Sequence, residues 1–150
     1  MKNNKLLFYV LSFTWGLPMT LVGVVAAVVM LLLFRKPELC GYCIRFRIGN
    51  GWGGVSLGLT IITDNQSESE ITYHEHGHAI QNTLYGFFMP VLVCIPSVIR
   101  YWHREYLVRI KGYRYSSLPA YDDAWYEGQA TRWGTEFMAN LGRFKSYTKN

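Results

Sequence analysis

Leu6 to Phe34 is a run of 29 residues without a charge, preceded by Lys2 and Lys5 and followed by Arg35 and Lys36. About 20 apolar residues are enough to cross a bilayer as a helix. The run therefore predicts an N-terminal transmembrane helix, with residues 1–36 as anchor and 37–150 as the folded domain. A cleaved signal peptide is the competing reading. The run is long for one, and no small-x-small cleavage site follows it. Trp15, Gly16 and Pro18 mark either a kink or an interfacial start before the helix proper. If Pro18 divided the run, neither half would span alone. Arg35, Lys36, Arg45 and Arg47 outnumber the two lysines in front. The positive-inside rule then puts the folded domain on the cytoplasmic side of a bacterial-type inner membrane.

The remaining composition fits this frame. The chain is 50% hydrophobic and 17% charged, which excludes a disordered chain. A net charge of +5 with 16% aromatic residues is also met in nucleic-acid binders. Here basic flanks and interfacial Tyr and Trp explain it, and no nucleic-acid partner is expected. Cys40 and Cys43 form a CxxC without the second pair that a zinc site of that kind needs. They read as ordinary thiols or an incidental disulfide, and Cys94 reads as core.

Past the first run the pattern predicts an α+β fold. Ile44, Phe46 and Ile48 alternate with Arg45 and Arg47, as in a half-buried strand. After a glycine-rich turn, Val55, Leu57, Leu59 and Ile61 alternate with Ser56, Gly58 and Thr60. The two strands are expected to pair as a β-hairpin. Ser67 and Glu70 fit a capping box opening a helix over 68–85. The apolar stretch 84–102 contains Pro90 and Pro96, so two broken half-helices are expected, re-entrant in the membrane or packed in the domain core. A last helix runs from Asp122 or Asp123 to about Gly142.

Within the first of these helices, residues 74–78 read HEHGH. His74, Glu75 and His78 match H-E-x-x-H. Residues i and i+4 share a helix face, so both imidazoles can reach one metal ion. Glu75 stands beside that face, where a general base can take a proton from a metal-activated water. His76 points away from such an ion and reads as surface or second shell. His103 reads as interfacial, and Tyr121, Tyr126 and Arg132 are open candidates for an oxyanion partner.

Glu127-Gly128-Gln129-Ala130 lies on the last predicted helix. Here the chain resembles the gluzincin metallopeptidases, in which HExxH pairs with a Glu from a later helix, and most of all their membrane-bound, HtpX-like branch. In that branch the Glu opens an E-x-x-A-D pattern. This chain has Thr131 where the acid is expected. The stretch WGGVSLG at 52–58 is also similar to small uncharacterised bacterial membrane proteins bearing an HExGH motif. The resemblance implies a zincin-like domain in which Zn2+ is held by His74, His78 and Glu127. Thr131 would support a ligand histidine, and an edge strand with Val55, Ser56, Leu57 and Gly58 would bind substrate by strand addition. On ligand type alone, Asp122 and Asp123 stay open as a third ligand.

The expected activity is hydrolysis of a peptide or unfolded protein segment beside the lipid bilayer, with Glu75 as the catalytic base. The alternative is a non-catalytic membrane interaction protein with a structural or degenerate metal site.

Overall fold

The uncharged run folds as two helices, not one. In the computed structural model, which describes residues 4–67 and 69–147, α1 (Lys5–Phe13) and α2 (Leu17–Leu32) meet at 92°. Asn4 caps α1 by accepting from Leu7 N at 3.0 Å, and Pro18 sits in the first turn of α2, where its missing N–H costs nothing. No single helix among the described residues is long and apolar enough to cross a membrane. α1 and α2 meet that length and composition only together, as a bent pair and not as the single helix expected. The bend arises because α1 turns inward: Phe8 joins a buried cluster with Cys43, Ile61, Ala79 and Ile80.

A second bend faces the first. α3 (Ser69–Tyr85) ends in a short 3-10 turn (Gly86–Phe88), and the chain then reverses by 118°. It continues through a π-helical turn (Pro90–Cys94) into α4 (Ile95–Arg109). The break thus precedes Pro90, and Pro96 lies inside the first turn of α4 instead of breaking the helix as expected. Gly86 carries the turn with φ +54°, and a Cβ there would stand 2.2 Å from Trp15 Nε1. The Trp15 indole donates to Leu84 O at 3.0 Å and packs edge-on against Phe87 and Phe88. Asn82 Nδ2 donates to Gly16 O at 3.1 Å. The two bends are therefore fastened to each other.

The sheet holds β1 (Glu38–Cys40), β2 (Cys43–Arg47), β3 (Gly54–Leu57) and β4 (Thr60–Thr63) in the order β1-β2-β4-β3. The hairpin expected between 44–48 and 55–62 does not form. The second segment folds back on itself at Gly58 (φ +63°), so β3 pairs antiparallel with β4, and β4 pairs parallel with β2. Gly58 and Gly23 let the turn seat directly on α2: added Cβ atoms would stand 2.7 Å from Thr20 Cα and 1.9 Å from Leu57 O. Only β3 is left as the edge beside the functional helix, while β4 is buried throughout. Asp64 fixes the entry to β3. Its carboxylate accepts from the backbone N–H of Trp52 (3.0 Å), Gly53 (3.0 Å) and Gln66 (2.9 Å), which holds its pKa down at about 2.

The long helix α5 (Trp125–Tyr147) lies along α3. The two backbones touch at two glycines. A Cβ on Gly77 would be 1.9 Å from Ala130 O, and one on Gly134 would be 1.7 Å from Tyr73 O.

Candidate metal centre

His74 and His78 stand one turn apart on α3, and Glu127 projects from the first turn of α5. The glycine contact between the helices brings the three side chains to one point. His74 Nε2 is 3.1 Å from His78 Nε2 and 3.1 Å from Glu127 Oε2, and His78 Nε2 is 3.2 Å from Glu127 Oε2. These three residues form the group among the described residues that can hold a metal ion. The triangle is close to one face of a tetrahedron with metal–ligand bonds of ~2.0–2.1 Å, whose edge is about 3.4 Å.

The outer nitrogens of both imidazoles are engaged. His78 Nδ1 lies 2.7 Å from Gln81 Oε1. Gln81 Nε2 donates to Tyr126 O (2.7 Å) and Gln129 Oε1 (2.9 Å), so its oxygen must face the histidine. Tyr85 completes the chain by donating to Gln129 Oε1 at 2.8 Å. His78 Nδ1 therefore carries the hydrogen, and the Nε2 lone pair points at Glu127 and His74. His74 Nδ1 is 2.8 Å from Thr131 Oγ1, so the hydroxyl occupies the position where the acid was expected.

Three lone-pair-bearing atoms cannot converge in a buried site without a cation or proton among them. Burial alone would lower the His78 pKa, but Glu127 and Glu75 beside it hold it above its ordinary value. Burial alone would raise the Glu127 pKa, but the imidazoles of His74 and His78 hold it well below the carboxylate range. The two ring nitrogens and the carboxylate oxygen thus converge on the point a dication would take. The donor set, two neutral imidazoles and a carboxylate, suits zinc.

The role of Gln81 was not legible in the sequence; the one signal is its place almost a turn beyond His78. If the triad holds a metal ion, replacing Gln81 by Met should weaken its binding by about 10- to 100-fold, as loss of an outer hydrogen bond to a ligand histidine does. Competition against a chromophoric chelator measures this directly.

Glu75 is buried, which raises its pKa above the ordinary carboxylate value. Its carboxylate lies against the edge strand: a Cβ on Gly54 would be 2.9 Å from Oε1. His74, Glu75, His78 and Thr131 line a cleft of about 570 Å³ running between β3 and α4. Of the strand residues singled out by sequence, Val55, Ser56 and Leu57 line this cleft, while Gly58 stands at the turn against Thr20.

Asp122 also lines the cleft, but the convergent triad contains Glu127 and neither aspartate. His76 is 0% exposed, neither at the surface nor beside the ligands. Its ring stacks on Phe137 at 4.4 Å, and Nε2 accepts from Tyr42 N at 3.2 Å. His103 and Arg132 are exposed, and Tyr126 donates to Pro96 O at 3.2 Å. Tyr121 faces the cleft, with its ring 6.4 Å from that of His74. Arg100 and Arg104 sit over it, each 5.6 Å from the ring centroid.

Compared with protein-family models, curated proteins and solved structures, the chain matches none. The functional reading therefore rests on the geometry of the site.

Proposed function

We propose that the chain is a membrane-associated zinc metallopeptidase of gluzincin type, hydrolysing peptide bonds in a peptide or unfolded protein segment. One observation carries this reading. Three protein groups form the candidate site, two of them line an open cleft, and a buried carboxylate shares that cleft. A structural zinc site is closed by four protein ligands, whereas a catalytic one keeps a position open.

Zinc bound there would supply Lewis-acid chemistry, activating a water and polarising a carbonyl. His74, His78 and Glu127 hold and orient it, with Gln81 and Thr131 fixing the two rings. Glu75 accepts the proton from the attacking water and passes it to the amide nitrogen as the C–N bond breaks. Its raised pKa suits a group that must both take and return a proton. β3 offers an unpaired edge along which an extended segment can lie.

Association with the bilayer is supported by the exposed apolar residues of α2, among them Val25, Val28 and Leu32, and of the 90–109 segment, among them Val91, Ile95, Ile99 and Trp102. Apolar faces of this kind mark membrane or protein contact. The basic flank after α2 favours the cytoplasmic leaflet.

Elemental mass spectrometry of the detergent-purified protein tests the centre. About one zinc per chain is expected, lost in both His78→Ala and Glu127→Ala. Zinc lost only from His78→Ala would remove Glu127 from the ligand set and bring Asp122 forward. A wild-type protein that takes up no metal when zinc is supplied would leave the non-catalytic interaction protein as the reading.

A further inference from the structure

The lining of the cleft is not uniform. β3 gives the direction: Gly54 lies against Glu75, and Leu57, three residues on, packs into an apolar cluster of Met19, Met89 and Val93. At ~3.3 Å per residue, that cluster stands about 10 Å along the strand from the base. Met19, Leu57, Met89 and Val93 all line the cleft, and none of them brings a charge. Elsewhere the cleft is lined by charged residues, Glu70, Arg104, Glu105 and Asp122.

The wall behind the apolar end has two faces. Met89 and Val93, four residues apart, face inward and are buried. Val91, Leu92, Ile95 and Ile99 on the same segment are exposed outward. One helical wall thus separates the apolar end of the cleft from the surface assigned above to lipid.

We infer that the apolar end is a specificity pocket: the cleft takes an extended segment along β3 and selects a bulky apolar side chain two to three residues from the bond beside Glu75. This rests on the peptidase reading and names its substrate class, an apolar peptide in extended form. The spacing follows from the strand rise. The selectivity follows from Met19, Leu57, Met89 and Val93, which offer an entering polar side chain no hydrogen bond in place of the water it loses.

The test measures binding, not turnover. The zinc-loaded Glu75→Gln protein is titrated with labelled alanine–serine octapeptides by fluorescence anisotropy. A single Leu, or its polar isostere Asn, is walked through the peptide. At one position Leu should bind about tenfold or more tighter than Asn. Val93→Phe, which fills the pocket, should shrink that preference to about twofold, and Val93→Ala, which enlarges it, should shift the preference from Leu to Phe. Melting curves establish that both variants are folded.

Equal binding of Leu and Asn peptides at every position would overturn the pocket while leaving the peptidase reading intact. A Leu preference unmoved by both folded Val93 variants would place the selectivity elsewhere and also overturn it. A zinc-loaded protein that binds no octapeptide at all would sink the peptidase reading and the pocket together.

Discussion

Peptide cleavage by the zinc-loaded protein should fall by about 10²- to 10⁴-fold in Glu75→Gln, the range for removing a positioned general base. Glutamine matches glutamate in shape and fills the same space against Gly54, where there is no room to spare. It cannot accept the proton that the attacking water must lose. The metal should stay, because Glu75 is not in the ligand triad. Affinity for peptide should also stay, because the edge of β3 and the cleft are unchanged. The measurement is kcat and KM on a quenched peptide beside zinc content by elemental mass spectrometry. A variant that keeps more than about a tenth of wild-type activity would remove Glu75 from the base role. Metal lost along with activity would instead make Glu75 part of the metal site.

Gly77→Ala is expected to damage the centre from a position that offers no ligand atom. Its new methyl would stand 1.9 Å from Ala130 O and 2.5 Å from Ala130 C, both backbone atoms that cannot turn aside. The helices must separate, and Glu127 moves away from His74 and His78 as they do. Overpacking of this kind costs about 3 kcal/mol at its upper end. For a chain of this size that lowers the melting midpoint by roughly 6–12 °C. Zinc affinity should fall with it, since the triangle with 3.1–3.2 Å edges spans both helices. Gly134→Ala should behave alike, with its methyl 1.7 Å from Tyr73 O. Gly142→Ala is the control, because nothing stands within 4 Å of its added methyl. It should leave zinc binding unchanged and stabilise the exposed helix by up to ~1 kcal/mol. If Gly77→Ala binds zinc like the wild type, close approach of α3 and α5 is not what assembles the centre.

The convergent triad was legible because its information is local. His74 and His78 announce a shared helix face by their spacing, and Glu127 opens a second helical pattern with Ala130 close behind it. The glycine of HEHGH gave no such hint, since its purpose lies on another helix. Gln81 carried no site signature in the sequence, yet it is the residue that orients His78. A partner one turn away has no signature until the opposite helix supplies Tyr126 and Gln129.

The strands failed for a different reason. The apolar period of 2 in Val55, Leu57, Leu59 and Ile61 runs straight through the reversal at Gly58, although the two-residue turn pairs Ser56 with Ile61 and Leu57 with Thr60 and so puts Ile61 on the face opposite Val55 and Leu57. Hydropathy then reads one strand where the chain makes two. In the N-terminal run, charge and length describe how apolar the segment is and say nothing of its direction. Trp15, Gly16 and Pro18 marked the bend, but the reason for it, a seat on Leu84 and Gly86, lies far along the chain.

That seat has a mechanical consequence. The N-terminal helices and the helix that carries His74 and His78 are buckled at one clasp, where Trp15 closes over Gly86 and Asn82 grips Gly16. Asn82 is one residue beyond Gln81, which steadies His78. A displacement of α2 is therefore delivered to the last turns of α3, and the N-terminal helices are one jaw of the clasp that steadies the candidate metal centre.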